Sequence, residues 1–266
     1  MSKRVSKVAA LEGETGYNNN TKPTTKVTSS NNGLIIKLDH LKTFDPLTEN
    51  QKKFYDAYKR GDYFVALHGV AGTGKTFIAL YKALEEVLDK SNPFNKIIIV
   101  RSAVPSREVG HLPGSLEEKT EIYRQPYQQI CHTLFGRPDA YKRLEEQGQI
   151  EFISTSFIRG MSFDDAIIIV DEMQNCSFEE IDTVMTRVGY RSKIIWCGDY
   201  RQTDLNKKKN DVSGILKFFD IAHHMSAFTR IEFEPADIVR SSLVKDYILA
   251  KLQYEDNNTR DKNESI

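Results

Sequence analysis

Tyr63-Phe-Val-Ala-Leu-His-Gly-Val-Ala-Gly-Thr-Gly-Lys-Thr-Phe-Ile-Ala-Leu80 is the stretch on which the reading of this chain turns. Residues 63–68 form an apolar run that reads as a buried strand. Gly69 to Thr76 match G-x-x-x-x-G-K-[ST] without a substitution. From Lys75 onward, Phe77, Ile78, Leu80, Tyr81, Leu84, Val87 and Leu88 recur at helical spacing and predict a helix over 75–89. Strand, glycine loop and helix in that order make a phosphate-binding loop. Its backbone N–H groups wrap an anion at a helix N-terminus, where the macrodipole favours negative charge. Gly69, Gly72 and Gly74 allow close backbone approach and positive φ. The ligand-binding set is therefore Gly69, Val70, Ala71, Gly72, Thr73, Gly74, Lys75 and Thr76. Lys75 reaches the β- and γ-phosphates of a nucleotide, and Thr76 places its hydroxyl on Mg2+.

Outward from the loop, strands and helices alternate. Strands are expected at 63–68, 96–101, 150–154, 166–171, 193–198 and 229–234. Helices are expected at 75–89, 117–134, 140–147, 177–188, 211–222 and 239–253. Thr48 and Gln51 look like the start of a further capped helix reaching Tyr58, and Gly33–Lys37 like a short strand. Fully apolar runs such as Ile97–Val100 and Ala166–Val170 belong to strands buried on both faces. The fold class that follows is α/β, a single domain with a mostly parallel sheet covered by helices on both faces. Residues 44–255 are read as that domain. Residues 1–43 are polar, poor in large apolar side chains and expected to be mostly disordered. Residues 256–266 are read as a polar tail.

Two further motifs sit at strand ends. Asp171-Glu172 closes an apolar run, and the C-terminal ends of parallel strands face the ligand crevice. Asp171 is placed to hold Mg2+ directly or through water, and Glu172 to orient and polarise an attacking water. Ile194 to Gln202 is a second such run followed by Gly-Asp-x-x-Gln. There Gln202 could sense a γ-phosphate and Asp199 could fix the loop.

Bulk properties narrow the classes. The chain has 266 residues, 39% hydrophobic and 28% charged, with 37 basic and 37 acidic side chains. Zero net charge means that any nucleic-acid groove must be a local patch, for which Lys207–Lys209 is a candidate. No run approaches the roughly 20 apolar residues that span a bilayer, and the N-terminus has no apolar secretory core. Cys131, Cys176 and Cys197 lack metal-ligand spacing and suit a reducing compartment, so a cytoplasmic location is expected. A guanine-reading Asn-Lys-x-Asp is missing, because Asn206-Lys207-Lys208-Lys209 lacks the acid.

The motifs in order resemble those of the PhoH-like family, whose core is similar to the first RecA-like domain of superfamily 1 helicases. The resemblance runs from about Leu47 to Tyr247. It includes Gly69–Thr76, Arg101–Val104, Tyr123–Pro126, Arg159-Gly160, Asp171–Asn175, Thr186–Gly189, Gly198–Gln202 and Asp237–Arg240. It implies a RecA-like P-loop NTPase that binds ATP with Mg2+ and acts on RNA or single-stranded DNA. It also implies a homo-oligomer, in some relatives a hexamer. Carried over by position, Gln51 becomes an adenine-reading glutamine, and Arg101, Ser102 and Arg159 become nucleic-acid contacts. The chain departs from the family pattern at Ser102, where Pro is usual, and at Ser241, where His is usual.

Hydrolysis in this scheme uses Lys75, Glu172 and Gln202, and it lacks an arginine finger from a second RecA-like domain. Arg187 and Arg240 are the candidates, and a subunit interface is the expected place for the finger to act. The alternative function is a nucleotide-gated binding or assembly protein without unwinding activity.

Overall fold

The computed structural model describes residues 35–102, 116–199 and 214–264, with the side chains of 116–120, 256 and 258–264 excepted. Gln202, Lys207–Lys209 and residues 1–34 of the expected disordered segment lie outside the described residues, while 35–43 of that segment are described. Six strands are present: β1 (Phe64–Gly69), β2 (Lys96–Arg101), β3 (Ile150–Ser154), β4 (Ala166–Asp171), β5 (Lys193–Gly198) and β6 (Phe228–Phe233). They form one sheet in the order β3-β2-β4-β5-β1-β6, and every pairing is parallel. Seven α-helices are described: α1 (Glu49–Arg60), α2 (Lys75–Leu88), α3 (Leu116–Phe135), α4 (Ala140–Glu146), α5 (Phe178–Met185), α6 (Ile215–Ala222) and α7 (Ser242–Glu264). None is long and apolar enough to cross a membrane.

Alternating side chains of each central strand point to opposite faces of the sheet. Val65, Leu67, Ile97, Ile99, Ile167 and Ile169 pack with α1 to α4 on one face. Phe64, Ala66, Ile98, Val100, Ile168 and Trp196 pack with α5 and α6 on the other. Each fully buried aliphatic or aromatic side chain contributes about 1.5–3 kcal/mol. This two-sided burial is why β2 and β4 carry unbroken runs of Ile and Val.

α1 begins as the sequence predicts. Thr48 Oγ1 accepts from Gln51 N (3.4 Å), and Gly61 closes the helix in the left-handed region. Three differences have physical causes. The expected strand at 33–37 is not formed over 35–37, where Ile36 is buried and its N–H donates to the Gln147 side chain (2.6 Å). α5 stops at Met185 because the chain leaves it to bridge Phe163: Phe163 N donates to Arg187 O (2.9 Å) and Gly189 N to Phe163 O (3.0 Å). α7 starts at Ser242 rather than 239, since Val239 N donates instead to Gly72 O (3.0 Å).

Candidate functional site

Because all six strands run the same way, the C-terminal ends of β1, β2, β4 and β5 share one edge of the sheet. A cleft of about 900 Å³ opens there. Its lining includes Gln51, Gly72, Lys75, Thr76, Arg101, Asp171, Glu172, Asp199 and Arg240. β5 lies between the strand that feeds the glycine loop and the strand that ends in the acids. The two motifs therefore converge from either side of it.

The glycine loop is held by contacts on three sides. Gly69, at φ +121°, lies so close to the Phe233 backbone that a Cβ there would collide with it. Val70 N donates to Phe233 O (3.0 Å). A Cβ on Gly72 would lie 3.1 Å from Arg240 Cγ and 3.3 Å from Ile248 Cδ1. Gln51 ties the loop to α1. Its Nε2 donates to Thr73 O (2.9 Å) and its Oε1 accepts from Leu47 N (2.8 Å). An amide carries two donor hydrogens and two acceptor lone pairs, so among the described residues one of each remains on this buried side chain.

Lys75 is nearly buried and donates to Gly69 O (3.0 Å), Val70 O (2.7 Å) and Thr73 Oγ1 (3.2 Å). Burial lowers its pKa, and the acids across the cleft, Asp199 foremost, oppose that shift. Thr76 Oγ1 donates to Asp171 Oδ1 (2.8 Å), although the two residues are far apart in sequence. Asp171 is raised above the usual carboxylate range by burial and then by Glu172, while hydrogen bonds from Thr76 and Tyr127 pull the other way.

A hydroxyl and a carboxylate side by side are hard oxygen donors. Mg2+ takes such ligands, typically one or two carboxylates with substrate phosphates completing its shell. Thr76 and Asp171 fit that requirement. Among the described residues there is no cluster of three or more His, Cys, Asp or Glu to suit a closed protein cage.

Glu172 follows in the left-handed region, at φ 52° and ψ 42°. Gln174 donates to its carboxylate and, through Oε1, accepts from Asp199 N (3.0 Å). Gln174 thus joins the ends of β4 and β5. Gly198 has no room for a side chain against Gln174 and Met173. Arg101, half-buried, lies 5.3 Å from the Tyr123 ring centroid. Burial acts against its charge, but Tyr127, Glu172 and Asp171 outweigh that and hold its pKa above the ordinary value.

The sequence-predicted residues divide into two groups. Gln51, the glycine loop, Lys75, Thr76, Asp171, Glu172 and Arg240 come together at the cleft. Arg187 does not line it; it lies past the end of α5. Ser102 is buried and donates to Glu180 Oε1 (2.9 Å), with Thr155 on the same oxygen. Arg159 is exposed on the turn after β3, outside the cleft. Arg101 faces the acids. The sequence reading did not assign Tyr127 or Gln174 a role at the site. Gln174 was open to notice, two residues after Glu172; Tyr127 gave no local signal.

A family profile described as PhoH-like protein matches residues 43–251. The PhoH-like protein of Mycobacterium leprae is 34% identical over 226 residues, covering 85% of this chain and 63% of its own length. The PhoH-like protein of Bacillus subtilis is 37% identical over 204 residues, covering 76% of this chain and 62% of its own. The chain therefore spans less than two thirds of these relatives. Among solved structures, the helicase domain of Pyrococcus furiosus Hef aligns with 71% of this chain and 39% of its own at 14% identity, with a TM-score of 0.41.

Proposed function

The chain belongs to the PhoH-like protein family, and on that footing we propose that it is a Mg2+-dependent ATPase acting on RNA or single-stranded DNA. The observation that carries the reading is the hydrogen bond between Thr76, at the mouth of the glycine loop, and Asp171, at the end of β4. It joins the two side chains proposed to hold the metal, and Lys75 and Glu172 line the same cleft.

Phosphoryl transfer to water needs positioning and charge stabilisation. Lys75 exchanges its loop carbonyls for β- and γ-phosphate oxygens. Glu172 orients the attacking water, and Gln174 keeps its carboxylate in place. Mg2+, held by Thr76 and Asp171, would neutralise charge on the phosphates. Gln51 offers its remaining donor and acceptor to the adenine edge, and Gln202 senses the γ-phosphate. Arg240, on the cleft of its own chain, supplies the finger's charge. Arg187, away from the cleft, could act only on a neighbouring subunit.

A second reading is favoured by one observation. Ser102 is engaged with Glu180 and Arg101 with the acidic cleft, so two of the three expected nucleic-acid contacts are turned inward. In that reading ATP gates a binding or assembly event, with a homo-oligomer as the product, and no strand is unwound. ATPase rate measured with and without RNA or single-stranded DNA separates the two. Strong stimulation that fades with salt supports the first; absence of both stimulation and binding supports the second. Lys75→Ala, expected to lose ATP turnover, controls for contaminating activity.

A further inference from the structure

We propose that Tyr127 is a positioning residue for the metal ion: its hydroxyl fixes one oxygen of Asp171 so that the other is presented to Thr76 and Mg2+. The inference rests on the metal-dependent reading given above. Tyr127 is fully buried, and its hydroxyl donates to Asp171 Oδ2 (2.9 Å), while Oδ1 accepts from Thr76 (2.8 Å). Each carboxylate oxygen thus has its own donor, one from α3 and one from α2. The carboxylate cannot rotate without losing both bonds. Hydrogen bonds to an ionised acceptor are stronger than neutral ones, and exclusion of water keeps them so.

The surroundings favour a device over an incidental contact. The Tyr127 ring lies 6.0 Å, centroid to centroid, from Phe152 on β3. One turn earlier on the same helix face, Tyr123 packs on Arg101. Arg101 and Asp171 are register partners on neighbouring strands. Tyr123 and Tyr127 therefore touch the ends of β2 and β4 as a pair. Pro126, which lacks an N–H, opens the α3 hydrogen-bond ladder one residue before Tyr127. A shift of α3 would reach the carboxylate directly through this bond.

Removing a hydroxyl that orients a metal ligand typically costs 10–100-fold in metal affinity or activity. The test compares wild type, Tyr127→Phe and Tyr141→Phe. Tyr141, on α4, has a buried hydroxyl without a hydrogen-bond partner among the described residues and serves as the control. Affinity for a fluorescent ATP analogue is measured in EDTA and across a Mg2+ titration. Mn2+ affinity of the nucleotide complex is read separately by electron paramagnetic resonance. The expected result for Tyr127→Phe is unchanged affinity in EDTA and a half-saturating metal concentration raised about 10–100-fold, with Tyr141→Phe like wild type. In an Asp171→Asn background the Tyr127→Phe effect should vanish. Wild-type metal affinity in Tyr127→Phe, or a protein that has only lost folding stability, would overturn the inference and leave the ATPase reading standing. A wild-type protein that binds no nucleotide with or without metal would overturn both.

Discussion

Glu172 holds a left-handed backbone one residue past Asp171. Such a conformation costs a side-chain-bearing residue about 1–3 kcal/mol and is enriched at functional sites. If its carboxylate orients the water, Glu172→Gln keeps ATP binding and lowers turnover by about 10²–10⁴. Binding and steady-state hydrolysis measured on one preparation check this, and wild-type turnover would remove Glu172 from the mechanism. His68 allows a test through pH. It is fully buried in β1, and its Nε2 accepts from Arg230 (2.6 Å). Burial, then the charges of Arg230 and Lys75, push its pKa down to about 4. The unfolded chain takes up this proton near the ordinary value of about 6.5. Its contribution to stability is therefore complete above the unfolded value and is lost as pH falls through the folded one. Between those limits wild type should lose more stability than His68→Gln, by on the order of 3 kcal/mol. Urea unfolding midpoints followed against pH would show it, and parallel curves would contradict it.

Lys193 opens β5 with its ammonium 2.6 and 2.8 Å from the two Glu86 oxygens of α2 and 4.0 Å from the Tyr58 ring centroid of α1. Three elements meet on one nearly buried charge. Breaking a buried pair strands the remaining ion and costs about 3–5 kcal/mol, whereas replacing both partners with apolar groups is often neutral. Lys193→Met should destabilise by that amount, and Lys193→Met with Glu86→Leu should recover most of it in urea unfolding. Equal losses in the single and double variants would refute the pairing argument. The same elements mark what could be read in advance. The β strands were legible almost to the residue, because burial on both faces leaves continuous Ile and Val runs that only a covered parallel strand tolerates. The glycine loop, Asp171 and Glu172 were legible because their chemistry is contiguous in sequence. α5 and α7 were misjudged where a backbone group bonds elsewhere, to Phe163 and to Gly72, and overrides local helical preference. Tyr127 and the inward turn of Ser102 were hidden for a related reason. Each depends on a distant partner, Asp171 or Glu180, that no local pattern specifies.

The whole molecule places an arginine over its own loop. If Arg240 supplies the charge in the same chain, Arg240→Ala should lower turnover by about 10³–10⁵, and wild-type specific activity should hold constant on dilution through any oligomer's dissociation. A fall in specific activity on dilution would give the finger back to a neighbouring subunit. The contacts around the loop also reach further than catalysis. Gln51 joins it to α1, and Val239, Arg240 and Ile248 join it to the segment that leads into α7. The first and the last of the described helices are thereby fastened to one short turn of backbone between them. A ligand that stiffens that turn should be felt at both, and amide hydrogen exchange with and without ATP would register it as two segments, near 48–60 and 235–248, slowing in concert. If only one of them slowed, the fastening would be one-sided.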